Sequence, residues 1–162
     1  MIIEYVRTHS AAKPPMRANP SDAGLDVFYS PESEQLSLFG NDDSSITLKP
    51  GDNHIFRTGL RFGVPHGYVL EVKNRSSMAA KKGLVVGACV IDSGYDGEVF
   101  IDLHNISNQE QTVKGGDKIA QLVMTPVVHF RAMETSSGDL YGWYPITISD
   151  RGDGALGSTD KK

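Results

Sequence analysis

Glycine, proline and asparagine divide this chain into short apolar segments, and this spacing constrains the fold more than any other feature. Turn signals such as Lys-Pro-Gly-Asp at 49–52, Val-Pro-His-Gly at 64–67 and Lys-Gly-Gly-Asp at 114–117 separate segments that are too short for stable helices. The segments are rich in valine, isoleucine, leucine and phenylalanine, most of which favour strands. The pattern therefore predicts an all-β sandwich, barrel or jelly roll.

The predicted strands run along almost the whole chain, and one short helix interrupts them. The helix is predicted over 76–82, because Ser-Met-Ala-Ala-Lys-Lys follows Ser76 and Gly83 ends it. The segments 85–91 and 98–103 are interpreted as a β-hairpin that carries Asp92 and Tyr95 at its tip. The full set of predicted strands is 1–6, 25–29, 36–39, 46–48, 55–62, 68–72, 85–91, 98–103, 112–113, 119–124, 127–133 and 144–148.

The bulk composition limits the class of protein. The 162 residues fit one domain, expected at 1–149, followed by a flexible, glycine-rich C-terminal arm at 150–162. Cys89 is the one cysteine, so no intramolecular disulfide can form and a reducing, cytoplasmic location is expected. The net charge of −4 argues against broad binding to nucleic acid. No stretch has the length and apolar character of a membrane span, and no signal-peptide pattern opens the chain.

Five polar, glycine-bearing segments lie where a predicted strand meets a turn. Arg-Ser-Ser at 75–77 offers a guanidinium, two hydroxyls and backbone N–H groups, which suit a phosphate, although serine is equally typical of a helix N-cap. The glycine-rich stretch 154–159 is consistent with wrapping of phosphates or with a plain disordered tail. The five segments are 22–26, 75–77, 92–95, 116–121 and 151–159.

Two residues at the predicted hairpin tip have chemistry that a turn does not require. Asp92 is a candidate general base, but Asp-Ser-Gly at 92–94 is also a common turn sequence. Tyr95 is a candidate for stacking on a sugar or base, or an ordinary core aromatic. The five histidines are scattered without metal-ligand spacing, and the Walker A, dinucleotide-binding and nucleophile-elbow motifs are absent from the sequence.

Taken in order, the five segments resemble the five motifs of the homotrimeric dUTPases, the dUTP nucleotidohydrolases. Asp-Ala-Gly-Leu-Asp at 22–26 is similar to the first motif, and Arg-Ser-Ser-Met-Ala-Ala-Lys at 75–81 to the second. The segments 87–98, 116–122 and 151–159 are similar to the third, fourth and fifth. Five ordered motifs over nearly the whole chain are far more specific than any one of them.

The resemblance implies a distorted jelly-roll or β-clip barrel that assembles as a homotrimer, with a C-terminal arm that closes over a neighbouring subunit's active site. The implied reaction is Mg²⁺-dependent hydrolysis of dUTP to dUMP and pyrophosphate. Asp92 would be the general base for attack of water on the α-phosphorus, with Arg75 and Gln121 on the phosphates. The triphosphate and waters would hold the metal without a direct protein ligand, and Asp26 would lie in its outer shell.

The resemblance also assigns the contacts with the nucleotide. Tyr95 would pack against the deoxyribose, and the backbone near Cys89 and Phe100 would bond the uracil edge. Ser76 and Ser77 would join Arg75 on the phosphates. The arm would add the substrate contacts of Arg151, Leu156, Gly157, Ser158 and Thr159.

Three positions depart from the family pattern. Leu156 stands where the fifth motif usually has phenylalanine, and Cys89 and Ser77 stand where the third and second motifs usually have glycine. Arg-Ser-Ser is also the form of the dCTP deaminases, a sister family of the same fold, and Asp102 stands where their catalytic glutamate falls. The alternatives are therefore a dCTP deaminase or bifunctional enzyme and, from another class, a non-catalytic β-sandwich module that binds nucleotides.

Overall fold

The computed structural model of the chain describes residues 1–32, 44–136, 138 and 140. Met1–His129 forms one compact unit, and Phe130–Lys162 groups as a second. Within the described residues, every strand belongs to the first unit, and none of those residues lies in a helix long and apolar enough to cross a membrane. The predicted boundary between domain and arm, at 149/150, lies outside the described residues.

Strands dominate the described part of the chain, and all their pairings are antiparallel. The strands are β1 Tyr5–Arg7, β2 Leu25–Phe28, β3 Ser45–Leu48, β4 Asn53–Arg57, β5 Leu60–Phe62, β6 Tyr68–Lys73, β7 Leu84–Val86, β8 Val90–Ile91, β9 Phe100–Asn105, β10 Gln111–Lys114 and β11 Lys118–Pro126. They form sheets with the strand orders β1-β5, β10-β3, β2-β11-β6-β8 and β4-β9-β7. In the described residues, one π-helical turn, Ser77–Lys81, follows β6, close to the predicted helix.

The core lies between these sheets, and β9 shows how a strand contributes alternate residues to it. On β9, Ile101 and Leu103 are fully buried, whereas Phe100 and Asp102 face outward, because successive side chains of a strand point to opposite faces. Val27, Phe56, Leu60, Leu84 and Ile119 are also fully buried in the same cluster. The all-β prediction with one short helix is therefore confirmed.

The predicted hairpin of 85–91 with 98–103 is correct up to Val86 and wrong beyond Gly87. β7 does pair with β9, from Leu84 opposite Asn105 to Val86 opposite Leu103. Beyond Gly87, however, the chain leaves β9, and β8 pairs instead with β6, with Ile91 opposite Leu70. Residues 87–89 therefore link two sheets, which we call the 87–89 link. Periodicity did not indicate this, because it reports which residues are apolar but not which strand they pair with.

The predicted strand at 55–62 is broken at Thr58 and Gly59. Gly59 has a positive φ of 68°, and a Cβ there would lie 2.6 Å from His9 Nε2. The buried hydroxyl of Thr58 donates to Val99 O at 2.6 Å and accepts from Leu60 N–H at 3.2 Å. This corner lets β4 and β5 join different sheets, because the left-handed backbone of glycine turns the chain without steric cost.

The predicted strand at 127–133 is wrong, since the chain has no strand after Pro126 in the described residues. Val128, Phe130 and Met133 are exposed by 85%, 85% and 90%, so their apolar spacing does not reflect burial in this chain. At the N-terminus, β1 begins only at Tyr5 rather than at Met1. The predicted strands at 36–39 and 144–148 lie outside the described residues.

Candidate active site

The first group of candidate residues surrounds the carboxylate of Asp26. Arg75 Nε donates to Asp26 Oδ1 at 2.9 Å, and Lys118 Nζ lies 2.8 Å from Oδ2. Arg75 Nη1 also donates to the backbone carbonyl of Lys118 at 3.2 Å. With Gln121, these three residues form what we call the Asp26 cluster, in which one largely buried carboxylate holds two cations.

Gln121 enters the cluster because strands β2 and β11 pair in register. It lies opposite Asp26, and its side-chain Nε2 donates to Asn74 O at 2.9 Å, just before Arg75. Gly24 makes room for this side chain, since a Cβ at that position would lie 2.9 Å from Gln121 Cδ and 3.0 Å from its Cβ. Three of the predicted motifs, at 22–26, 75–77 and 116–121, therefore meet at one place in a single chain.

The short helix presents its two serines next to this cluster. Ser76 precedes the helical turn but makes no side-chain capping hydrogen bond, and both Ser76 and Ser77 are exposed. The turn is held by the backbone, with Met78 N–H and Ala79 N–H both donating to Arg75 O at 3.0 Å. Helix capping therefore does not account for the hydroxyl of Ser76.

A second group lies on the loop after β8. The loop closes through Tyr95 N–H, which donates to Asp92 O at 3.2 Å, and Gly94 adopts a positive φ of 87°. Tyr95 Oη donates to Glu98 O at 2.9 Å, so the ring folds back over Gly97, where a Cβ would lie 2.5 Å from Tyr95 Cζ. Asp92, at the start of this loop, is exposed.

The loop forms one wall of a groove that we call the Tyr95 groove. Its lining includes Val90, Asp92, Tyr95 and Phe100, and both aromatic side chains are 45% exposed. Asp92 also lines a neighbouring groove beside the stacked imidazoles of His66 and His129, whose ring centroids lie 4.9 Å apart. Tyr95 is therefore not the ordinary core aromatic that the sequence left open.

An ion-pair network supports the far side of this loop. Arg57 Nε and Nη2 donate to the Glu98 carboxylate at 3.1 Å and 2.6 Å, and Arg57 Nη1 pairs with Glu32 at 2.8 Å. Glu98 also accepts from Gly59 N–H at 2.9 Å. Hydrogen bonding to Glu98 and then to Glu32 raises the pKa of Arg57, and the bond from Arg57 lowers the pKa of Glu32. The ion pair with Arg57 holds Glu98 in place, and the backbone carbonyl of Glu98 accepts the hydrogen bond from Tyr95 Oη.

Cys89 is the last residue of the 87–89 link, and Asp102 lies beside the link. The carbonyl of Cys89 accepts from Val72 N–H at 2.8 Å, and the thiol-bearing side chain is exposed. Asp102 accepts from Asn53 Nδ2 at 3.2 Å and lies 2.9 Å from His104 Nε2. Burial raises the pKa of Asp102, but the bonds from Asn53 and His104 outweigh it, so the net pKa lies below the ordinary value.

The Asp26 cluster and the Tyr95 groove lie toward opposite ends of β6. Ile91, just before Asp92, pairs with Leu70, whereas Arg75 follows two residues after the other end of the strand. The three-residue step from Leu70 to Lys73 alone covers roughly 10 Å at the usual rise of a strand. Asp92 and Arg75 of one chain therefore lie toward opposite ends of this strand.

Lys118 is a cluster member that the sequence analysis did not single out. Its position inside the segment 116–121 was the one sequence feature that pointed to a role in the site. It was not singled out, because a lysine before an apolar run is usually a solvated residue. The structure pairs it with Asp26 and places its Nζ 5.9 Å from the centroid of the Phe28 ring. The predicted arm residues Arg151, Leu156, Gly157, Ser158 and Thr159 lie outside the described residues.

Several acidic side chains in the described part of the chain, Asp26, Glu71, Asp96 and Glu98 among them, pair with lysine or arginine. None of the histidine, cysteine, aspartate and glutamate residues in that part forms a group of three positioned to hold a metal ion. Both Asp26 oxygens face cations, which fits contact with a metal through water better than direct ligation.

The chain matches known proteins over most of its length. A family model described as dUTPase matches residues 10–142. A deoxyuridine 5'-triphosphate nucleotidohydrolase of Desulfitobacterium hafniense (strain Y51) is 37% identical over 160 residues, covering 97% of this chain and 93% of that protein. The corresponding protein of Anaplasma marginale (strain St. Maries) is 33% identical over 137 residues, covering 83% of this chain and 88% of its own length.

Solved structures share the fold. A point mutant of the Staphylococcus bacteriophage 80alpha dUTPase, with dUpNHpp, superposes with a TM-score of 0.77 at 21% identity and covers 98% of each chain. A point mutant of the dUTPase from phage phi11 of S. aureus, described with a structural Mg(II) ion, has a TM-score of 0.71 at 22% identity. The match covers 84% of this chain and 97% of that one. These likenesses agree with the predicted jelly-roll-like architecture.

Proposed function

The chain belongs to the dUTPase family and is a dUTP diphosphatase, and from that premise we propose that its active site is shared between chains. The observation that carries this proposal is the separation of the Asp26 cluster from the Tyr95 groove along β6. If one chain supplies Asp92 and Tyr95 and a neighbour supplies Arg75 and Gln121, the two groups can face one nucleotide. A homotrimer closes such head-to-tail contacts into a ring with three equal sites.

Asp92 is proposed as the general base. Its carboxylate is exposed on the groove rim, where a water can bind between it and a phosphate. Solvent-exposed carboxylates are charged at neutral pH and accept a proton from water as that water attacks. The attack is in line on the α-phosphorus, which releases pyrophosphate and leaves dUMP.

The Asp26 cluster is proposed to bind the phosphates. Arg75 is oriented by Asp26 before substrate arrives, and Ser76 and Ser77 follow it on the exposed face of the short helix. Such preorganised donors stabilise the charge that develops on the phosphate oxygens. Gln121 donates to Asn74 O, and this bond keeps the part of the cluster that lies on β11 in place. Gln121 is also proposed to orient the phosphate or the attacking water.

Magnesium dependence is part of the proposal. Mg²⁺ usually keeps several waters and binds chiefly to phosphate oxygens, where it neutralises charge that builds on the triphosphate. Asp26 suits the outer shell, because each of its oxygens accepts from a cation and retains capacity for a bound water.

The Tyr95 groove is proposed to bind the nucleoside. The ring of Tyr95, held by Glu98 O, would pack against the deoxyribose and leave little room for a 2′-hydroxyl. The backbone near Cys89 and Phe100 would bond the uracil edge. The Cys89 carbonyl accepts from Val72 N–H, and the N–H of Cys89 would donate to a uracil carbonyl.

The C-terminal segment is proposed to act as an arm. Residues 1–149 would form the catalytic domain and 150–162 the arm, with Arg151, Leu156, Gly157, Ser158 and Thr159 closing over a nucleotide bound between two other subunits. Closure would exclude water from the phosphates and strengthen each electrostatic contact. Leu156 would cover the base by apolar contact in place of an aromatic stack.

A nucleotide panel tests the function. Purified protein with Mg²⁺ is given dUTP, dTTP, UTP and dCTP, and both pyrophosphate and ammonia are measured. We expect pyrophosphate from dUTP in large excess over the other nucleotides. Ammonia from dCTP would support the deaminase instead, and binding of dUTP without release of either product would support the non-catalytic module.

A further inference from the structure

The 87–89 link is fixed at both ends by different sheets. At its start, Gly87 N–H donates to Asp102 O at 2.9 Å, which ties the link to β9. At its end, the Cys89 carbonyl accepts from Val72 N–H at 2.8 Å, which ties it to β6. Between these anchors the backbone belongs to neither sheet, so its exact course depends on other contacts.

The side chain of Asp102 supplies such a contact. Besides Asn53 and His104, the backbone N–H of Ala88 donates to its carboxylate. A carboxylate only accepts hydrogen bonds, so His104 Nε2 must carry a hydrogen toward it. Donors from β4, from β9 and from the middle of the link therefore converge on one carboxylate whose side chain is only 22% exposed.

The fit around this carboxylate is tight. A Cβ at Gly87 would lie 2.6 Å from His104 Nε2 and would also contact Asp102 Oδ2. Any side chain at that position would displace the imidazole or the carboxylate. The absence of a side chain at Gly87 therefore lets Asp102 and His104 pack directly against the backbone of the link. Such close packing restricts the path that the link can take.

We propose that Asp102, with His104 and Asn53, is a positioning residue that sets the 87–89 link in the conformation that binds uracil. The inference rests on the proposed function, in which the backbone at Cys89 meets the base. Asp102 acts through Ala88, one residue before that contact, and does not itself touch the nucleotide. It therefore affects the affinity for the base, whereas Asp92 and Arg75 act on the phosphates.

The test compares Asp102→Asn with the wild type. Asparagine keeps the size of the side chain but replaces one acceptor oxygen with a donor, which opposes at least one of the three converging donors. We expect KM for dUTP to rise on the order of tenfold with kcat nearly unchanged. The ratio of kcat/KM for dUTP to kcat/KM for dCTP should fall, because the link no longer holds the one conformation that suits the uracil edge.

Equilibrium binding separates this role from the phosphate sites. By calorimetry, affinity for dUMP should fall in Asp102→Asn on the order of tenfold, while affinity for 2-deoxyribose 5-phosphate, which lacks the base, stays unchanged. A wild type that releases no pyrophosphate would refute the proposed catalysis, yet dUMP binding would still report on Asp102. An equal loss for both ligands, or an unchanged KM, would overturn the positioning role.

Matched variants control for general damage. His104→Gln keeps a donor toward Asp102 and should retain a KM close to that of the wild type, whereas His104→Leu removes the donor and should raise KM. Glu110→Gln alters an exposed carboxylate outside the link and outside the Tyr95 groove, so it should leave KM unchanged. A lowered Tm alone is expected, because Asp102→Asn removes the carboxylate that accepts these hydrogen bonds. A changed oligomer mass would instead show that the KM effect reflects general damage, and it would overturn the inference.

Discussion

Arg75 Nε lies 2.9 Å from Asp26 Oδ1, and this pair joins the start of the short helix to strand β2. Asp26 also pairs with Lys118, so one carboxylate, whose side chain is 14% exposed, contacts two cations. The orientation of Arg75 is therefore set by the protein before a phosphate arrives. Catalysis benefits from such preorganisation because little reorganisation accompanies the reaction.

Asp26→Asn should impair both stability and turnover. The substitution leaves Arg75 and Lys118 partly buried without their shared anion, which should cost about 1–3 kcal/mol of unfolding free energy. It should also raise KM for dUTP, because Arg75 loses its orientation. Urea unfolding and steady-state kinetics measure the two effects. Glu71→Gln is the control: it breaks the more exposed pair with Lys73 and should change stability by less than about 1 kcal/mol.

Subunit mixing tests the shared site directly. Asp92→Asn and Arg75→Ala should each be almost inactive alone, because each removes one half of every site. When the two variants are unfolded together and refolded, random assembly should restore about a quarter of wild-type activity, since one site in four combines an intact Asp92 with an intact Arg75. A mixture as inactive as its components would show that both residues act within one chain.

Gly24→Ala should reduce activity more than stability. The new methyl would collide with the side chain of Gln121, which can swing away at modest energetic cost but would then leave its bond to Asn74. We expect Tm to fall by only a few degrees and kcat/KM to fall on the order of tenfold. Gly63→Ala is the matched control, because its added Cβ would meet nothing closer than Glu4 O at 3.8 Å.

The acid stability of the fold should depend on Asp102. Its folded-state pKa lies below the ordinary value, so folding favours the charged form. The resulting stability is fully present above the unfolded-state pKa of about 3.9 and is lost as pH falls through the lower folded-state pKa. The difference in unfolding free energy between wild type and Asp102→Asn should therefore be constant near neutral pH and shrink below about pH 4. A difference that grows on acidification would contradict the assignment.

The sequence predicted most of the strands described in the first three-quarters of the chain, and it singled out candidate residues there. Turn chemistry located most strand ends, as at the turns before β4, β6 and β11, because glycine and proline act through local backbone geometry. The prediction of strands from apolar runs failed at two places: 127–133 forms no strand, and 55–62 turns at Gly59. Apolar spacing cannot distinguish burial from exposure at such places.

For the candidate site too, the sequence predicted the residue types, whereas only the structure showed how they are arranged. The motif pattern predicted Asp26, Arg75, Gln121, Asp92 and Tyr95 as functional residues, since each chemical type is readable from the chain alone. Only the register of β2 on β11 brings Gln121 opposite Asp26, and only the crossing of the 87–89 link separates Asp92 from the Asp26 cluster. These are long-range pairings, and strand order is decided by the packing of the whole core.

The amino-acid sequence by itself thus determined the all-β class, most of the turns and which side chains are candidates for the site, because these follow from local propensity and side-chain chemistry. The tertiary structure decided where those side chains meet. It showed two separate groups along β6 instead of one hairpin site, and it placed Asp102 beneath the link, in contact with Asn53, His104 and Ala88. The physical reason is that strand pairing joins residues far apart in sequence, and no local pattern records the partner.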